Sequence, residues 1–153
     1  MKFEYIEPFV TSTMNVLKAI LRSDIDKGDI SLLRGYELTG DVAMVIPLND
    51  ESGESIMLNM GAETALSICS AMNNTTLESL DALGMDTIGE MANMIAGNAV
   101  SALNDRGFDF KVHPPQAIGR DAIARLTKGL ELFQVPVLSQ HGDITVNFIM
   151  RTN

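Results

Sequence analysis

Asp86, Glu90, Asn93 and Gly97 follow one another at intervals of four, three and four residues. At 100° per residue, that spacing gathers them on one side of a helix. Glu90 and Asn93, three apart, then stand as neighbours on its surface. The pair offers a negative charge and two acceptor oxygens from the carboxylate, and a donor together with an acceptor from the carboxamide. Gly97, one turn beyond Asn93, would leave open backbone where another surface can approach closely. A Gly inside a helix costs about 1 kcal/mol relative to Ala, and Asn is a mediocre helix former because its side chain competes for backbone hydrogen bonds. A polar face is also what solubility demands of any amphipathic helix. By themselves the four residues leave both readings open.

Other chemistries find less support. Cys69 is the single cysteine, which excludes an intrachain disulfide and fits a reducing compartment. It lies in the apolar stretch Leu66-Ser67-Ile68-Cys69, where a thiol behaves as a small hydrophobe. His113 and His141 are the only histidines, and neither belongs to a ligand spacing such as His-Glu-x-x-His; both read as loop residues. Asp24, Asp26 and Asp29 form an acidic turn that briefly suggests a calcium loop. Its register fails, because Gly28 stands fifth rather than sixth and Gly35 occupies the twelfth position, where a Glu is needed. Phosphate-binding glycine loops and a Gly-x-Ser-x-Gly elbow are absent. Asp86 and Glu90 as paired carboxylates of a small-molecule enzyme lack an accompanying pocket motif. No metal site is expected.

The elements that must position these residues can be read from periodicity. Phe3, Ile6, Val10, Leu17, Ile20 and Leu21 recur at helical spacing, and this first helix ends in the polar turn Ser23–Asp29. Strands are predicted at Tyr36–Thr39, Val42–Leu48 and Ser55–Met60, broken by Gly40-Asp41 and by Asn49–Gly53. Connections this short imply antiparallel neighbours. A helix follows from about Ala62 to Met72. A long one covers Thr76 to Asp105, with a possible break at Gly84 and a C-cap at Arg106-Gly107. On the long helix Ile88, Met91, Ala92, Ile95, Ala99, Ala102 and Leu103 form the inward stripe. A short strand is predicted at Phe108–Val112, then the rigid Pro114-Pro115 and a loop at Ile118–Asp121. The closing hairpin pairs Leu130–Leu138 with Ile144–Met150, and these two final strands would leave an edge that needs covering. The expected architecture is a single α+β domain over residues 1–153, with a mainly antiparallel sheet and long amphipathic helices packed on it.

Bulk composition narrows the partners. A 46% apolar and 20% charged balance is that of a globular chain, and 153 residues suit one core. A net charge of −9 with scattered Lys and Arg argues against nucleic acid and against an anionic membrane surface. The longest apolar run, Val42–Ile46, is far short of a membrane span, and Glu4 and Glu7 stand where a secretory signal carries positive charge. A cytoplasmic protein is expected, acting on a small molecule or another protein.

Glu90-Met91-Ala92-Asn93-Met94-Ile95-Ala96-Gly97, followed by Pro114-Pro115 and then Gly119-Arg120-Asp121, resembles the CheX signature within the CheC/CheX/FliY family of phosphatases acting on phosphorylated CheY. The family pattern is Asp or Ser, three residues, Glu, two residues, Asn, about twenty-two residues and Pro. Asp86, Glu90 and Asn93 fit its first part; twenty-one residues separate Asn93 from Pro115, one fewer than the general spacing. The resemblance runs over nearly the whole chain. CheC-type members carry two such sites, and a single one favours the CheX type.

This resemblance implies a CheC-like fold, a homodimer whose subunits pair their sheets, and a phosphorylated CheY-like response regulator as partner. It implies that Asn93 orients a water in line with the leaving oxygen of an aspartyl phosphate. Glu90 would contact a cationic residue beside that phosphate. Asp86 and Gly97 are the expected binding residues of the same face. No cofactor of its own is implied; the Mg²⁺ belongs to the partner's pocket. Pro114 and Pro115 would be structural, and Arg120 with Asp121 an ion pair or loop anchor. The rival expectation is a non-catalytic interaction module on the same fold, binding a response regulator or a flagellar switch component.

Overall fold

A computed structural model of the chain describes residues 3–48 and 54–149. The predicted turn at Asn49–Gly53 and the end of the last predicted strand, Met150, lie outside the described residues. The N-terminal periodicity forms α1 (Phe3–Leu21), which buries Ile6, Phe9, Val10, Val16 and Leu17. Pro8 lies in its second turn. Its missing N–H frees the carbonyl of Glu4, an exposed residue that water can reach.

Seven strands form one sheet: β1 (Asp26–Lys27), β2 (Ser31–Arg34), β3 (Val42–Pro47), β4 (Ser55–Met60), β5 (Gln116–Gly119), β6 (Glu131–Ser139) and β7 (Gly142–Ile149). Their order is β1-β6-β7-β4-β3-β5, with β2 also on β6, and the pairings are antiparallel. Alternation along β3 divides its side chains between two cores. Val42, Met44 and Ile46 join the main core under α1, α2 (Ala62–Asn73) and α3 (Ala82–Asp105). Ala43 and Val45 face the other side, where a smaller cluster with Met57, Leu132 and Ile149 packs on Ile123 of α4 (Arg120–Thr127). The predicted α+β architecture, a mainly antiparallel sheet carrying long helices, is the one observed.

Several elements differ from the sequence reading. Tyr36–Thr39 is not a strand. Gly35–Glu37 is a 3-10 turn, and Gly35 donates to the carbonyl of Leu130. Gly35 lies so close to the Thr127 backbone that any Cβ would collide, and Tyr36 is 85% exposed. Pairing on β6 falls instead to β1 and β2, within and just after the predicted acidic turn. Phe108–Val112 also makes no strand. Its backbone is bonded by the side chain of Asn104, which donates to the carbonyl of Phe110 and accepts its N–H. Its rings pack on Tyr5, with centroids 5.2 Å away.

The strand comes after the prolines, as β5, and the predicted loop at Ile118–Asp121 is the end of β5 and the start of α4. Gly119, extended, is the N-cap of α4, and Ile123 and Thr127 are its buried side. The final strands leave no edge: β6 and β7 are interior, and the edges are β5 and the β1/β2 side.

Candidate functional site

The long helix starts later than its periodicity suggests. Asp81 caps α3 by accepting the N–H of Gly84 at 3.0 Å, so Gly84 belongs to the first turn and breaks nothing. Residues Thr75–Asp81 are irregular, with the Leu77 N–H bound to Ser70 Oγ. From there Ile88, Met91, Ala92, Ile95, Ala99 and Leu103 of the predicted inward stripe are fully buried, joined by Ala96, which was not predicted; Ala102 is left half-buried.

Three hydrogen bonds fix α3 against its neighbours. Ser12 Oγ of α1 donates to the Ile95 carbonyl at 2.8 Å. From α2, Cys69 Sγ donates to the Gly84 carbonyl at 3.2 Å and Asn73 Nδ2 donates to Thr87 Oγ1 at 3.0 Å. Burial, reinforced by the negative charge of Asp81, pushes the Cys69 thiol pKa up. A protonated, buried thiol is a donor here rather than a nucleophile.

With its inner side occupied, α3 turns Asp86, Glu90 and Asn93 outward, all exposed. None of the three is bonded through its side chain to another described residue. They line an open depression of about 480 Å³ whose other wall is Met44 of β3, Ala117 of β5 and Pro115 just before β5. Gly97 is half-buried and lies off the depression, and a Cβ built on it meets nothing within 4 Å. No Lys or Arg occurs anywhere along Ala82–Asp105, so this face offers a cation negative charge without local competition.

The structure therefore brings together Asp86, Glu90 and Asn93 and leaves Gly97 one turn away as open backbone. Pro115, read as structural, also borders the depression. Met44, Met85, Gly89 and Ala117 were missed as lining. Gly89 could have been found from its place beside Asn93 on the helix surface. Ala117 could not, because it arrives through the β3–β5 pairing, in which Met44 meets Ala117.

Arg120 does anchor a loop, but its partners are Asp41 at 3.1 Å and the Thr39 carbonyl at 3.0 Å rather than Asp121. A second concavity of about 460 Å³ lies between the 3-10 turn and α4, lined by Leu38, Ile123 and Lys128 among others; its Arg120 is the one already engaged by Asp41. His141 lies at the exposed β6–β7 turn and His113 in the segment before β5. Among the described residues, no group of three or more His, Cys, Asp or Glu is placed to hold a metal ion, and no helix is long and apolar enough to cross a membrane.

The chain is 27% identical over 118 residues to the CheY-P phosphatase CheX of Thermotoga maritima, 76% of each chain being covered. Among solved structures it is similar to the Borrelia burgdorferi CheX–CheY–BeF3–Mg²⁺ complex, with 31% identity, a TM-score of 0.78 and coverage of 97% of this chain and 98% of that one. A CheC-like superfamily protein from Shewanella sp. PV-4 shares the fold, with a TM-score of 0.81 over 99% of this chain and 100% of that one at 23% identity. The family model described as chemotaxis phosphatase CheX matches residues 42–138. That match runs from the start of β3 to near the end of β6 and takes in the whole of α3, and by it the chain belongs to the CheX family of chemotaxis phosphatases.

Proposed function

We propose that this chain hydrolyses the aspartyl phosphate of a CheY-like response regulator, and that Asn93 and Glu90 carry the reaction. The observation that carries the reading is the outward pair on α3, unbonded to other described residues, in a chain of a phosphatase family. An acyl phosphate needs a water held in line with the bond to be broken, and positioning supplies most of the catalysis in phosphoryl transfer. Asn93 enters the partner's pocket, where its carboxamide accepts from the water and donates to an oxygen nearby. The water oxygen bonds to phosphorus as the phosphorus–aspartyl oxygen bond breaks. The products are inorganic phosphate and the free carboxylate, and the water's proton leaves with the phosphate or to solvent.

Glu90 makes a charge-assisted contact to a cation beside the phosphorylation site, and Asp86 extends the negative surface that meets it. The Mg²⁺ that neutralises the phosphoryl group is held by the regulator's own carboxylates. We further propose a homodimer built on the β1/β2 edge. The opposite edge, β5, carries Ala117 in the depression and must stay accessible, whereas Ile30 and Leu32 expose apolar surface beside and on β2.

The decisive experiment is phosphate release from a regulator phosphorylated with acetyl phosphate. Wild type accelerates it. Asn93→Ala is expected to lose 10²-fold or more, as about 10²–10³ is typical for one removed catalytic contact. An Asn93→Ala variant as fast as wild type overturns the mechanism. Binding without acceleration by wild type would make the chain an interaction module.

A further inference from the structure

The outward stripe of α3 holds two residues that the reaction does not use. Leu83 is 52% exposed and Met94 47% exposed, and they are the only large exposed hydrophobics on α3 among the described residues. At 100° per residue both lie within about 40° of Glu90 on the helix surface. Leu83 precedes Glu90 by two turns and Met94 follows it by one, so about 16 Å of helix separates them, with Glu90 between. A lone exposed Leu or Met is ordinary on any protein. These two differ by their place: neither belongs to either core cluster, and both flank the Glu90–Asn93 pair.

We infer that Leu83 and Met94 are the apolar anchors that grip the phosphorylated receiver domain of the response regulator on either side of the reacting group. This inference rests on the proposed function and adds the contacts that give it affinity. Charge selects this occupant over a second copy of the chain. In a two-fold self-contact, Asp86 and Glu90 would face their own copies with no Lys or Arg on α3 to offset them, and like charges set opposite each other repel. A receiver domain that presents a cation beside its phosphorylation site matches the charge of this face. Met suits such a contact because its unbranched side chain adapts to a partner's shape. Contacts made equally before and during the reaction change KM and leave kcat alone.

The test uses the full chain and a panel of CheY-like regulators phosphorylated with acetyl phosphate, the one turned over fastest by wild type serving as substrate. Leu83→Ser and Met94→Ser are each expected to raise KM about fivefold or more, in the range of buried apolar anchors, with kcat within about twofold of wild type. Leu126→Ser, an exposed apolar residue on α4, should change neither. Because both test positions are half exposed, far-ultraviolet circular dichroism should match wild type. Unchanged KM in both variants, with Asn93→Ala inactive, overturns this inference and leaves the proposed function standing. A fall in kcat at constant KM also overturns it. Full activity of Asn93→Ala sinks the proposed function itself, and the anchors with it.

Discussion

A carboxamide takes no proton at neutral pH, so in the proposed reaction Asn93 works by where it stands, and what lies one helical turn away decides how closely a partner can bring its own groups. Gly97 is that neighbour. A Cβ built there meets no atom of the chain, so the fold itself gives no steric reason for glycine. Gly97→Ala should therefore stabilise the protein by about 0.5–1 kcal/mol through helix propensity and a less flexible unfolded chain. Thermal unfolding would register a midpoint raised by a few degrees, roughly 2–4 °C per kcal/mol for a chain of this size. If the partner's surface comes down on this open backbone, the same variant loses regulator binding while gaining stability. A variant less stable than wild type would mean that Gly97 answers to the fold instead. The residue pattern made Asp86, Glu90 and Asn93 readable, because one helix carries all three and helical geometry needs no tertiary knowledge. The opposite wall of the depression was not readable, because Met44 and Ala117 meet only through pairing between segments far apart in the chain.

At the scale of elements, α3 acts as a beam whose near end is set by one side chain. Asp81→Ala removes the acceptor for the Gly84 N–H and should cost about 1 kcal/mol, as for other caps, measured by urea denaturation. Gly84 also receives the Cys69 thiol through its carbonyl, so fraying of this turn would loosen the seam with α2 as well. Leu77 and Leu80 continue the apolar rhythm of the helix upstream, which is why periodicity alone starts it at Thr76. The cap chemistry of Asp81 decided the true start. The misplaced strands have a similar cause. Tyr36–Thr39 and Phe108–Val112 alternate as strands do, yet Gly35 is pressed on Thr127 and Asn104 takes up the backbone of Phe110. The helix α4 was overlooked although Arg120–Thr127 has helical spacing in Ile123 and Thr127, since the preceding Gly119 read as a loop.

For the molecule as a whole, the antiparallel character of the sheet followed from short connections, whereas its strand order depended on β6 and β7 entering the middle. That order puts the Asp86–Asn93 face by one edge, β5, and leaves the β1/β2 edge free for the proposed self-association. Light scattering after gel filtration should give twice the mass of the chain, and Leu32→Lys should halve it while leaving phosphate release per subunit intact. A wild-type monomer would remove the proposed dimer without touching the site. The clamping of α3 by α1 and α2 has its own consequence for selectivity. A rigid bar cannot mould itself to an ill-shaped visitor, so any adjustment during docking has to come from the regulator. Closely related regulators in one cell would then be told apart by refusal of the misfits rather than by accommodation of the chosen one.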